Sequence, residues 1–224
     1  MKSFGKALKL YLKVSFNPLL ALLSAVIIVG VMIASVLEPE VPESDDYMSM
    51  IAAAATGQIG IVVFCLSGTV SIIRGKFYSS LPFAKTLFTV VPTVFTAGLS
   101  LIYDLIIITI AALCWVPQAL ADIMIAAPVG SLMVILGVSC SGKSKLEWLY
   151  ILPFFILCTM QFILPKISVT MHGFGLPVIT SAIIGALIFA AEIAVTLVIM
   201  NIWWKKCDHT YRMKCGPLSV HENG

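Results

Sequence analysis

The string Gly137-Val-Ser-Cys-Ser-Gly142-Lys143-Ser144 fits, letter for letter, the glycine-rich loop that wraps nucleotide phosphates. That chemistry needs the loop to follow a buried strand and to open a helix inside an α/β domain, with an acidic residue elsewhere for magnesium. Here both flanks are apolar runs of membrane-spanning length, and no segment between such runs is long enough to build that domain. The stretch is therefore read as a tight turn with Lys143 and Lys145.

A second possible chemistry lies in two carboxylates, Asp104 and Glu192, each set near the middle of an apolar run. An ionised carboxylate at that depth costs about 3 kcal/mol or more unless it is paired, protonated or wet. No lysine or arginine lies in the same runs, so both acids must face the bundle interior, with Gln58, Gln161, Thr96 or Tyr103 as hydrogen-bond partners. Two roles fit: a polar substrate or proton site, or polar glue between helices.

Other constellations carry less. Cys207, His209, Cys215 and His221 have spacings that match no common structural zinc pattern. Ser139 and His172 could supply a nucleophile and a base, but they fall on opposite sides of the expected membrane. Of the six cysteines, Cys65, Cys114, Cys140 and Cys158 lie in or at the ends of apolar runs, so no disulfide framework is implied. No metal, cofactor or catalytic group is expected.

The elements that must hold these residues follow from composition. The 224 residues are 60% hydrophobic and 11% charged. A soluble domain is nearer half apolar and about a quarter charged, so lipid is the main solvent here. The net charge of +3 is too small, and too scattered, to make a nucleic-acid surface.

At the N-terminus, Lys2, Lys6, Lys9 and Lys13 recur on one helical face, with Phe4, Leu8, Tyr11 and Leu12 on the other. Residues 1–16 are expected to form an amphipathic helix lying on the bilayer surface, apolar side down. Asn17 and Pro18 then read as a cap and a first helical residue, opening the apolar run Leu19 to Leu37. At 1.5 Å per residue that run reaches roughly 28 Å, the thickness of the hydrocarbon core. It exceeds the apolar region of a cleaved signal peptide, which is usually about 7–15 residues.

Five further runs follow, giving an all-α bundle with six spans at about 19–37, 47–73, 92–113, 123–138, 148–164 and 178–204, and a tail over 205–224. The acidic stretch Glu38 to Asp46 falls outside the membrane, and Pro92 offers a natural helix start. With both termini in the cytoplasm, thirteen of the fourteen lysines and arginines lie inside and only Lys166 outside. Small residues at packing spacing, Ala53 with Gly57 and Ala186 with Ala190, are expected at helix contacts.

Between spans two and three, Ser71 to Leu87 mixes Arg74, Lys76 and Lys85 with Phe77, Leu81, Phe83 and Leu87. A membrane helix does not need this amphipathic element. It suits a docking surface for a cytoplasmic partner, or a helix resting on lipid headgroups.

In its N-terminal amphipathic helix, six-span layout and Arg-x-Lys-x-Tyr...Leu-Pro-Phe-x-Lys stretch from Arg74 to Lys85, the chain resembles permease subunits of the ABC-2-type exporter family. The resemblance implies a half-transporter of a bacterial cytoplasmic membrane. Its coupling element, with Arg74, Lys76, Phe77, Tyr78, Leu81, Pro82 and Lys85, would dock on a separate ATPase subunit. A second permease chain would complete the path, and ATP would be hydrolysed on the partner. Two features depart from the family: the outer connection before span six, Pro165 to Pro177, is short, and the two intramembrane acids map to no family role. The alternative is a secondary transporter or a substrate-capture subunit of an uptake system, with Asp104 and Glu192 as its site.

Overall fold

The computed structural model describes residues 2–37, 47–74, 76–114, 117–140 and 175–206. Those residues are helical almost throughout, with no strand among them.

Helix α1 (Lys2–Ser15) is joined to α2 (Pro18–Leu37) by a turn of 90°. Asn17 makes that turn a helix start. Its side-chain oxygen accepts hydrogen bonds from the backbone N–H groups of Leu19 at 3.1 Å and Leu20 at 3.4 Å. Two of the donors that every helix N-terminus leaves unpaired are thereby satisfied, and Pro18 has no N–H to satisfy.

Helix α3 (Tyr47–Arg74) returns the chain, and a 3-10 helix (Lys76–Ser80) and the short α4 (Ala84–Phe88) form an elbow into α5 (Val90–Cys114). The break between α4 and α5 sits at Thr89, just before Pro92, whose ring and missing N–H disturb the bond to the Phe88 carbonyl. Helix α6 (Pro117–Cys140) follows, and α7 (Val178–Lys206) closes the described chain. Gly175, at φ +56°, lies in the left-handed region that favours glycine and turns the backbone toward α7. Among the described residues three helical stretches are long and apolar enough to cross a bilayer, or four if the bent α1–α2 pair is one span, which marks the protein as membrane-embedded.

The distribution of side chains inverts that of a soluble domain. Leu19, Leu22, Val26, Leu101, Leu105, Leu113, Ile179, Leu187 and Val198 are exposed, while Gln58, Thr93, Ser100, Asp104, Ser131 and Glu192 are buried. Lipid accepts the first set at no cost, whereas the second needs partners that only the bundle supplies.

The apolar core runs through α3, α5 and α6, with Ile61, Val62, Ile107, Ile123, Val134 and Val138 at its centre. A second cluster, at the end where α3 gives way to the elbow, gathers Ala7 and Tyr11 of α1, Ile72 of α3, Ala84, Leu87 and Phe88 of α4, and Val91 of α5. Trp203 and Trp204 from the end of α7 pack against it.

Part of the apolar face of α1 packs on protein, with Ala7 and Tyr11 fully buried, while Leu12 remains exposed. Ala7 is small enough to admit close approach, and the Tyr11 hydroxyl bonds the Cys65 carbonyl at 3.2 Å and Thr69 Oγ1 at 3.1 Å. A tyrosine hydroxyl needs such partners once water is removed. Burial, and then the neighbouring Cys65, push the Tyr11 hydroxyl above the ordinary tyrosine range, so it stays neutral. Lys6, Lys9 and Lys13 are left exposed.

The small-residue expectation is corrected in part. Ala186 and Ala190 are exposed, and α7 meets α6 through Gly185 instead. Gly57 does mark a close contact, because any side chain there would run into the Tyr103 ring.

Candidate functional site

A buried polar stripe runs from Thr89, at the break before α5, through Thr93, Thr96, Ser100 and Asp104 of α5, spaced by four, three, four and four residues. That spacing places them on one face, turned inward. Near one end of α5, Thr93 and Ser139 of α6 share a hydrogen bond of 2.9 Å. Asp104 meets Gln58 of α3 and Ser131 of α6 deeper in the bundle.

The geometry at Asp104 is a closed triangle. Gln58 Nε2 donates to Asp104 Oδ1 at 2.7 Å and to Ser131 Oγ at 3.0 Å. Ser131 Oγ in turn donates to Asp104 Oδ2 at 2.6 Å, and Ser100 Oγ donates to Gln58 Oε1 at 3.4 Å. Every donor in the network runs toward the carboxyl group, and both of its oxygens accept. This pattern suits an ionised carboxylate, because a carboxylate only accepts. The four residues lock three helices to one another.

Glu192, the other acid expected from the sequence, is 3% exposed on the inner face of α7 with Ser181, Gly185, Thr196 and Met200. Among the described residues neither of its carboxyl oxygens has a hydrogen-bond partner, and one turn further on Thr196 Oγ1 has none either. Asp104 is near enough for its charge to act on Glu192. Of the expected intramembrane set, then, Gln58 and Asp104 are bonded, Glu192 stands beside them unbonded, and Gln161 lies outside the described residues. Ser100 and Ser131 complete the network without having been singled out in the sequence.

Asp122 was also missed. Helix α6 begins at Pro117, six residues before the expected start of that span, so Asp122 is inside it and buried. The signal was Pro117, which favours the first turn of a helix.

At the elbow, Arg74 ends α3 and Lys76 opens the 3-10 helix. Phe77 is 70% exposed, Pro82 and Lys85 are exposed, and Tyr78 and Leu81 are half-buried against the second apolar cluster. Two backbone bonds shape the turn, Ala84 N to Leu81 O at 2.9 Å and Leu87 N to Phe83 O at 3.0 Å. Leu87 is completely buried, and Phe88 packs on Trp204 with ring centroids 6.2 Å apart. The elbow is thus held from beneath by α1, α5 and the end of α7, with Phe77 standing out from it.

No family model, curated protein or solved structure matches the chain.

The remaining candidates are weaker. The first four residues of the phosphate-loop string, Gly137 to Cys140, form the last turn of α6, and Ser139 is bonded to Thr93. Gly142 to Ser144, His172 and the four tail residues lie outside the described residues. Among the described residues no group of three His, Cys, Asp or Glu side chains converges as a metal site. An apolar groove of about 300 Å³ between α2, α3 and α5 is lined by Ser24, Ile28, Gly60 and Leu99 among others, and none of the four networked side chains lines it.

Proposed function

We propose that this chain is the permease subunit of an ATP-driven exporter of the ABC-2 type, with six spans, both termini in the cytoplasm of a bacterium, and the elbow as the docking point for a separate ATPase subunit. The single observation that carries the reading is the elbow itself. A membrane hairpin needs only a short turn, yet here two short helices are braced on α1 and α7 while Phe77, Pro82 and Lys85 remain exposed. A rigid elbow can pass a push from a partner into α3 and α5, as a floppy loop could not.

Charge supports the same side as the docking side. The exposed Lys6, Lys9, Lys13, Lys85 and Lys205 are carried by elements that meet in one cluster, as the positive-inside rule expects of a cytoplasmic face. The fifth span would lie within residues 141–174, and a second permease chain would complete the path. ATP would be hydrolysed on the partner, since Gly137 to Cys140 are helical where a phosphate loop needs a strand end.

The test is co-purification of the tagged chain with the ATPase subunit encoded beside it, in mild detergent. Wild-type chain should retain the ATPase, and Arg74→Glu with Lys85→Glu should lose it. Retention by the charge-reversed chain, or no association at all, would sink the proposal.

The acid pair favours a second reading, a secondary transporter or substrate-capture subunit that uses Asp104 and Glu192. It expects transport that stops with Glu192→Gln and continues when ATP is depleted. Transport that stops with ATP depletion alone eliminates it.

A further inference from the structure

We infer that Glu192 is a proton-binding site within the bundle, carrying the one proton that the Asp104–Glu192 pair holds at neutral pH. This goes beyond the exporter reading and holds under either energy source.

Two observations meet here. Asp104 receives a donor on each oxygen, from Gln58 at 2.7 Å and from Ser131 at 2.6 Å, so its negative charge is solvated by the protein. Glu192 receives none on either oxygen, although it is 3% exposed and within reach of the Asp104 charge. An ionised carboxylate with no donor, no counter-ion and a neighbouring negative charge is the least favourable state the site could adopt. Adding one proton removes the charge. The asymmetry of donors decides which acid takes it.

Among the described residues the surrounding charges do not offer another solution. The sequences of α5 and α6 contain no lysine, arginine or histidine. On α7 the nearest basic residue is Lys205, thirteen residues from Glu192 and about 20 Å along the helix. From α5 the titratable group facing Glu192 is Asp104. On α6 it is Asp122, nine residues or about 14 Å before Ser131. Because Gly185 packs beside Met124 and Pro128, Asp122 sits near the depth of Ser181 and well away from Glu192.

A proton also suits the space better than a larger ligand. The 300 Å³ groove is on the α2 side of the bundle and does not include Glu192. Proton exchange needs only a brief parting of α7 from α5 and α6, along the face where Ser181 and Thr196 also lack partners for their hydroxyl oxygens. A helix seam holding several unpaired polar groups is the seam most easily wetted.

Isotope-edited infrared spectroscopy of the full chain in phosphatidylcholine vesicles at pH 7.5 reads this directly. The expected result is a protonated-carboxyl C=O band that moves when the chain is labelled with 13C-glutamate and stays when it is labelled with 13C-aspartate. The band should vanish in Glu192→Gln and survive in Asp104→Asn. Movement with 13C-aspartate would place the proton on an aspartate, and the absence of any such band would mean both acids are ionised; either overturns the proposal. The labelled wild-type chain separates these outcomes even if the variants fold poorly.

Discussion

Gly185 of α7 packs against the backbone carbonyl of Met124 on α6, the carbonyl that Pro128 leaves without its usual helical donor. In lipid an unpaired carbonyl is costly, and a glycine is the one residue that lets the neighbouring backbone close over it. The Pro128 ring lies 3.4 Å from where a Gly185 side chain would begin. Proline and glycine thus form one device, and α6 against α7 is the most extensive helix contact described.

It follows that Gly185→Ala should be severe for so small a change. Its methyl group would meet backbone oxygen, which has no rotamer to escape into, so α6 and α7 must part. The expected cost is about 1–3 kcal/mol. Thermal unfolding in detergent, followed by tryptophan fluorescence, should show a clearly lowered midpoint, whereas Ala186→Leu on the exposed face should leave it unchanged.

The triangle at Asp104 makes a different prediction. Gln58→Leu removes the donor to Asp104 Oδ1 and the donor to Ser131 Oγ together. The loss should be about 1–2 kcal/mol, since interhelical hydrogen bonds in membranes are individually modest. Ser131→Ala should cost a similar amount. Because the two share Asp104, the double variant should cost less than the sum of the two single changes, a non-additivity that a thermal-unfolding cycle measures.

Tyr11→Phe keeps the ring contact with Phe95, at 5.4 Å between centroids, and deletes only the hydroxyl bonded to Cys65 and Thr69. The bundle should stay folded while α1 loosens by about 1 kcal/mol. A spin label at Lys9 should report greater mobility in the variant than in the wild-type chain. Equal mobility would mean that apolar packing alone holds α1.

At the elbow, exposed and buried residues should separate cleanly. Phe77→Ala removes a side chain that is 70% exposed and should leave thermal stability within about 0.5 kcal/mol of the wild type. Leu87→Ala empties a fully buried position and should cost about 2–5 kcal/mol. Only the first variant can therefore test docking without also disturbing the fold.

How much of this was legible in the sequence depends on how local the signal is. The start of α2 was readable because Asn17 and Pro18 act within one turn. The break before α5 was readable from Pro92 for the same reason. Which small residue makes a helix contact was not readable from size alone. Helix α7 buries Gly185 and exposes Ala186 and Ala190, and only Ser181, Glu192 and Thr196 mark its inner face. Polar residues were the better guide, since Thr93, Thr96, Ser100 and Asp104 mark the inner face of α5 by spacing alone. That α1 would pack on protein was hidden for another reason. Its apolar side suits lipid and protein equally, and only the Tyr11 hydroxyl, which needs a buried acceptor, favours protein.

The exporter reading stands or falls on what touches Phe77. A photo-crosslinking amino acid introduced at position 77 should, on illumination of membranes that contain the neighbouring ATPase, yield a single adduct with that subunit. Crosslinking to lipid alone, with the ATPase present and active, would contradict the account and leave the elbow as a helix resting on headgroups.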